Sequence, residues 1–252
     1  MKICFIDKTN FKYSYQDKLS SKLRGAETIL INLSENLHKL DNEIFVFNNS
    51  SIHSSKNNYT WTDIANLKNY KFKFDVAISN GDINLLDEIE ANKKFAISYS
   101  IQSIEKFIRK KQLLAFFKHK PKILLIGEYH KRKRNFLTRL YGSSVIKLAV
   151  DDAFINTNLK DNIDVNKALF TSYPDRNLNI LTNLWINHIH SKSKNFKLYI
   201  TPINKDYQKY NIINRKLSSR ENLIEQLLTT RVFLAPGHKA ELFCIAAEEA
   251  RE

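Results

Sequence analysis

Acidic residues are scarce in this chain of 252 residues: 26 Asp and Glu stand against 40 Lys and Arg, a formal net charge of +14. The imbalance favours anionic partners: nucleic acid, an acidic membrane face, or phosphorylated ligands. Lys, Asn and Ile are abundant, as the codon usage of an AT-rich genome also produces, so charge alone selects none of these partners. Cysteine is nearly absent. Cys4 and Cys244 lie far apart inside apolar runs. That excludes a disulfide framework and reads as buried, reduced thiols of a cytoplasmic protein. With no CxxC and no Cys/His cluster, a structural zinc site has no support, and the expected metal set is none. No apolar run approaches the roughly 18 residues a membrane span needs. Met1 leads into Lys2-Ile3-Cys4-Phe5-Ile6, too short for the apolar region of a signal peptide. The expectation is a soluble cytoplasmic protein, or one peripheral at the inner face of a membrane. Short repeats and low-complexity linkers are also missing.

What is present alternates. An apolar run at 3–6 reads as a buried strand. A polar loop follows, and Arg24-Gly25-Ala26-Glu27 opens a helix with Ile29, Leu30, Leu33, Leu37 and Leu40 at helical spacing on one face. Asp41-Asn42 ends it, and 44–47 is the next strand. This opening predicts an α/β fold with parallel sheets. Further strands are expected at 74–78, 94–98, 122–126 and 145–150. Helices are expected at 83–89, 104–117 and 133–141. The polar stretch 151–166 reads as a boundary, dividing the chain into domains 1–165 and 166–252. A second series follows, with strands at 167–171, 196–201 and 232–234. Its helices fall at 178–190 (Ile180, Leu181, Leu184, Trp185 and Ile189 inward), 220–228 and 242–251.

One segment carries chemistry. Near the end, a short strand meets Pro236-Gly237 and a helix opens near Glu241. Such corners offer free backbone amides and the positive end of a helix dipole, an anion site. Glu241 and Glu249 are separated by about 80° around a helix and about 12 Å along it. One carboxylate can meet a sugar and the other a ribose, with a diphosphate between them.

This segment resembles the E-x7-E signature of the retaining GT-B glycosyltransferases, with Pro236, Glu241, Phe243, Glu249 and Ala250 in the family's places. The resemblance implies that Glu241 contacts the donor sugar and Glu249 the nucleotide ribose. It also implies that the backbone at Phe243, Cys244 and Ile245 holds the diphosphate, with Cys244 where the family usually has glycine. Upstream, Leu169-Phe170-Thr171-Ser172-Tyr173-Pro174-Asp175-Arg176-Asn177-Leu178 is similar to the segment after the first strand of the family's C-terminal domain. Arg176 matches the basic residue that neutralises the donor diphosphate, a task suited to a guanidinium's fixed charge and bidentate grip. Asn177 stands where glycine is usual. Arg24-Gly25-Ala26-Glu27 is similar to the Gly-Gly-Ala-Glu opening of the acceptor-binding domain, where Gly25 permits close approach of a ligand to the helix start. The family often has His near the acceptor; the comparable position holds Tyr99. His130 and His238 are further candidates near the sites.

The implied architecture is two Rossmann-like domains with parallel sheets, the second incomplete. In the family two further strands and a returning helix follow the second Glu, and a complete nucleotide domain takes on the order of 150 residues. The implied activity is transfer of a hexose-type sugar from a UDP- or GDP-sugar to a glycan or lipid-linked acceptor, with retention. It belongs to cell-surface polysaccharide or lipopolysaccharide synthesis in a bacterium, and uses no metal or separate cofactor. The alternative is a truncated, non-catalytic sugar-nucleotide binder. No nucleic-acid partner is expected, because no nucleic-acid motif accompanies the charge. Two basic features remain: 131–134, and 106–120, where Phe107, Ile108, Leu113, Leu114, Phe116 and Phe117 interleave with cations. The second reads as a basic amphipathic helix suited to peripheral contact with an anionic membrane.

Overall fold

The structure is a computed structural model describing all residues except 19–22, 102, 156, 158–161, 217, 218 and 238–241. The chain divides into two compact units, one comprising Met1–Lys18 and Leu23–Leu148, the other running over Ala149–Glu252. The division falls after Leu148, ahead of the boundary read at 165. In the 151–166 stretch, Phe154 is buried with its ring 4.9 Å from the Arg220 guanidinium of the second unit.

The strands of the first unit are β1 (Lys2–Ile6), β2 (Glu43–Asn48), β3 (Ser54–Lys56), β4 (Tyr59–Asp63), β5 (Phe74–Asn80), β6 (Ala91–Ser98), β7 (Lys122–Leu125) and β8 (Ser143–Val145). They form one sheet in the order β3-β4-β2-β1-β5-β6-β7-β8, parallel except for β3 against β4. Helices α1 (Gly25–Lys39), α2 (Ile104–Arg109), α3 (Leu113–His119), α4 (Glu128–Lys133) and α5 (Leu137–Leu140) connect them. Successive side chains of a strand point to opposite faces. Cys4, Ile6, Phe45, Phe47, Ala77 and Ala96 therefore pack with Leu86, Phe107 and Phe116 on one face, while Ile3, Phe5, Ile44 and Val46 are buried on the other. A parallel sheet covered on both faces explains the continuous apolar runs.

Several local expectations need correction. The β3–β4 hairpin was not expected; its strands are rich in Ser and Thr, and Asn57 and Asn58 turn it with φ 49° and 62°. The helix expected over 104–117 is two helices. Lys111 takes φ 53°, and Gln112 donates from Nε2 to Asp82 Oδ1 at 2.7 Å, which reorients the chain between α2 and α3. The helix expected over 133–141 is replaced by α4 and α5, and β8 precedes the strand expected at 145–150. Along α1, Leu40 is 70% exposed, while Glu27 and Ser34 are inside.

The second unit contains α6 (Asp152–Ile155), β9 (Asp164–Leu169), α7 (Leu178–Leu184), β10 (Lys197–Ile200), β11 (Ile212–Asn214), α8 (Arg220–Leu228), β12 (Thr230–Phe233) and α9 (Ile245–Arg251). Its parallel sheet has the order β11-β10-β9-β12. β11 was not expected. α7 continues as a π-helix over Trp185–His190. It buries Leu178, Leu181 and Trp185 against Ala168, Phe170, Leu198, Ile200 and Ile212. Ile180 and Leu184, expected inward, are about half exposed, because the buried stripe runs through 178, 181 and 185 instead. Among the described residues, no helix is long and apolar enough to cross a membrane.

Candidate functional site

In an open parallel sheet, ligands bind beyond the carboxyl ends of the strands where the winding reverses. Each unit has one such point: between β1 and β5 in the first sheet, and between β9 and β12 in the second.

In the second unit, Phe170 N donates to Tyr199 O and Leu234 N to Leu169 O, both at 2.8 Å, so the loops after β9 and β12 leave the sheet side by side. Asn177 closes the first loop at φ 60°, ψ 27° as the N-cap of α7. This is the left-handed region, which asparagine tolerates better than most residues. That accounts for an asparagine at this turn. Its Nδ2 donates to Gly237 O. Gly237 has φ 69° with open space around a Cβ position, so its requirement is conformational rather than steric. The Arg176 loop and the Pro236–Gly237 loop are thereby tied together.

Arg176 N donates to Tyr173 O at 2.9 Å, and its Nε lies 3.8 Å from Asp175 Oδ1. The guanidinium is partly exposed beside the entry to α7. Phe243 and Cys244 lead into α9, and Cys244 O accepts from Ala247 N and Glu248 N while Ile245 begins the helix. Glu249 faces Arg220: Nη2 is 2.8 Å from Oε1, with the two side chains 11% and 10% exposed. Burial raises the Glu249 pKa, Arg220 opposes the rise, and Asp151 adds to it. Glu241 and His238 lie outside the described residues. Among the described residues, no group of His, Cys, Asp and Glu is arranged to hold a metal.

The reversal point of the first unit holds a cluster that joins Gly25, Glu27 and Tyr99, singled out in the sequence, to Asp7, Tyr13 and Asn80, which were not. Asp7 follows β1, Asn80 ends β5, Tyr99 follows β6, and α1 begins beside them with Gly25 exposed at its first position. The Tyr13 hydroxyl donates to Asp7 Oδ2 at 2.5 Å. The Tyr99 hydroxyl lies 2.5 Å from Asn80 Oδ1, to which it donates, and 3.4 Å from Ala26 O. Glu27 is buried, with Oε1 2.7 Å from Arg24 Nη2 and Oε2 without a hydrogen-bond partner. The Arg24 guanidinium lies 5.0 Å from the centre of the Phe11 ring. Burial raises the Asp7 pKa most; Tyr13 counters it by hydrogen bonding, and the Glu27 charge raises it further. Tyr13 and Tyr99 are both held protonated by burial and by the neighbouring carboxylates. The cluster gathers two carboxylates, an amide and two phenolic hydroxyls at the carboxyl end of the sheet. The readable signal was a polar residue after each buried strand: Ile6-Asp7, Ser79-Asn80, Ser98-Tyr99. His130 is buried in the first unit, where Nδ1 accepts from Ile126 N at 3.5 Å.

No protein-family model matches the sequence, and no curated protein sequence matches it. Solved structures do. A sucrose-phosphate synthase from Thermosynechococcus elongatus aligns with a TM-score of 0.66 at 10% identity, over 99% of this chain and 78% of that one. WaaG, a glycosyltransferase involved in lipopolysaccharide biosynthesis, aligns with a TM-score of 0.62 at 11% identity, over 98% of this chain and 78% of its own. An alpha-glucosyltransferase in complex with UDP aligns with a TM-score of 0.55 at 12% identity, over 92% and 72%. The fold is that of the GT-B glycosyltransferases. At these identities the fold is what is shared. In this chain, Arg176 lies at the reversal point of the second sheet, while the Asp7–Glu27 cluster lies at that of the first.

Proposed function

We propose that the chain is a retaining glycosyltransferase that takes a hexose-type sugar from a nucleoside diphosphate donor, a UDP- or GDP-sugar. The observation that carries this is the tie between the two loops at the β9–β12 reversal point, Asn177 Nδ2 to Gly237 O, which presents Arg176 beside them. The fold shared with glycosyltransferases, one of them solved with UDP, supports the same reading. In the reaction, the bond from the anomeric carbon to the diphosphate oxygen breaks. A bond to an acceptor hydroxyl oxygen forms on the same face, and that hydroxyl's proton passes to the departing diphosphate oxygen. Charge develops on the leaving diphosphate, where Arg176 and the backbone at Phe243, Cys244 and Ile245 would stabilise it. Glu241 would position the sugar and Glu249 the ribose. The Asp7, Glu27 and Tyr99 cluster, with Gly25 beside it, would receive the acceptor's hydroxyls. A glycan or lipid-linked acceptor, as in cell-surface polysaccharide assembly, would supply those hydroxyls.

Calorimetry with UDP-glucose and GDP-mannose tests this. One of the two should bind, and Arg176→Ala should weaken it by roughly 10- to 150-fold, the effect of one charge-assisted hydrogen bond. A folded chain that binds neither refutes the proposal. Binding without transfer or donor hydrolysis leaves a non-catalytic sugar-nucleotide binder.

A further inference from the structure

A groove of about 420 Å³ lies at the amino-terminal edge of β6 and β7. It is the opposite edge of the first sheet from the Asp7–Glu27 cluster. Lys93, Lys94, Lys118, Lys120 and Lys122 line it together with His119 and Tyr141. Lys94 is committed internally: its ammonium donates to Leu86 O at 3.2 Å and to His119 Nδ1 at 2.9 Å. Asp87 lies 2.5 Å from Lys118 and 2.8 Å from His119 Nε2. Lys93, Lys120 and Lys122 are exposed, so the groove presents a concentration of positive charge to water.

Beside the groove, apolar side chains also face water. Leu114 is 84% exposed, Phe117 42% and Leu140 55%. Leu114, Phe117 and Lys118 stand at i, i+3 and i+4, on one face of α3. The Phe117 ring is 6.5 Å from that of Tyr141, which lines the groove and follows Leu140 in the chain. Apolar and cationic groups thus share one continuous surface. That combination matches the interface of an anionic bilayer: leucine and phenylalanine enter the acyl boundary, while ammonium groups lie level with headgroup phosphates. A nucleic acid would engage the lysines but leave Leu114 and Leu140 in water.

We propose that this surface docks the first unit on a bilayer containing anionic phospholipid, with the lysine groove receiving headgroup phosphates. The inference does not depend on sugar transfer. Co-sedimentation of the full chain with vesicles tests it, comparing phosphatidylcholine alone with a phosphatidylcholine–phosphatidylglycerol mixture. The chain should bind the mixture selectively. Each lysine near an anionic surface changes partitioning about fivefold, so Lys120→Gln with Lys122→Gln should reduce it by roughly thirtyfold. Leu114→Gln with Phe117→Ser should also reduce binding, with no change in charge. All four positions are exposed, and emission from the buried Trp61 and Trp185 checks that each variant is folded. Equal binding to both vesicle types overturns the proposal. So does loss on lysine replacement without loss on apolar replacement. Random duplex DNA that binds the wild type and the apolar variant alike, while vesicles bind neither, overturns it in favour of nucleic acid.

Discussion

Two effects of Asn177 can be separated by substitution. It holds φ 60°, ψ 27° at the entry to α7, and its Nδ2 bonds Gly237 O across the two loops of the proposed donor site. Left-handed angles cost an ordinary L-residue about 1–2 kcal/mol, and glycine essentially nothing. A hydrogen bond of this kind contributes about 0.5–1.5 kcal/mol. Asn177→Gly removes the bond. The conformational relief it brings is offset by glycine's greater freedom in the unfolded chain, about 0.4–1 kcal/mol. The expected net loss is about 1 kcal/mol. Asn177→Ala removes the bond and adds the left-handed cost, for a total of about 2–3 kcal/mol. Trp185 reads the second unit: it is 2% exposed, and its indole N–H donates to Tyr210 O at 3.1 Å. The other tryptophan, Trp61, lies in the core of the first unit, so a Trp61→Phe background makes emission specific to the second. Urea titrations should give falling midpoints in the order Asn, Gly, Ala, with unchanged slopes. Donor affinity should also fall in Asn177→Gly, although Arg176 is intact, because its loop has lost the tie. Alanine as stable as glycine would refute the left-handed assignment. Glycine as stable as asparagine would refute the cross-loop bond.

His130 and the Arg220–Glu249 pair give two more tests. Burial lowers the His130 pKa to about 4, against a weaker opposing hydrogen bond with Ser100. A histidine depressed in the folded state contributes stability that is present above its unfolded pKa near 6.5 and lost as pH falls through the folded value. The first unit, read at Trp61 in a Trp185→Phe background, should lose up to about 3 kcal/mol between those limits, and His130→Gln should remove this dependence. An unchanged slope in the variant would show that other groups carry it. Arg220→Ala strands the buried Glu249 carboxylate and should destabilise the second unit by about 3–5 kcal/mol at neutral pH. A raised acid binds its proton more tightly in the folded state, so stability falls as pH rises from its unfolded pKa to its folded one. The deficit should therefore shrink on acidification toward the ordinary glutamate value. Arg220→Met with Glu249→Leu should recover most of the loss. A deficit independent of pH would mean that the packing of Arg220 on Phe154, rather than charge, is what was removed.

Much of the α/β alternation was legible because a buried parallel strand must be apolar on both sides. Runs such as Ile3 to Ile6 and Ile44 to Phe47 admit little else. The α8 bounds were readable for a local reason: Ser219 accepts from Asn222 N and caps the helix before its first residue. The break between α2 and α3 was not legible, since apolar spacing continues through it and only the contact with Asp82 turns the chain. β3 and β4 were missed because Ser and Thr hide their alternation, though Trp61 among them is completely buried. Asp7 and Asn80 each look ordinary in the chain, and Tyr99 is marked only by the family resemblance. Their meaning comes from strand order.

The sequence by itself determined the class of fold and which loops carry cations or glycines, because hydrophobic periodicity and turn chemistry act over a few residues. Tertiary structure alone decided that β1 meets β5 and β9 meets β12. It also decided that Glu27 is buried with one oxygen unpartnered, that Glu249 is paired with Arg220, and that Asn177 reaches Gly237. Those outcomes depend on which distant strands become neighbours, a competition settled by burial over whole sheets rather than by any short stretch of chain.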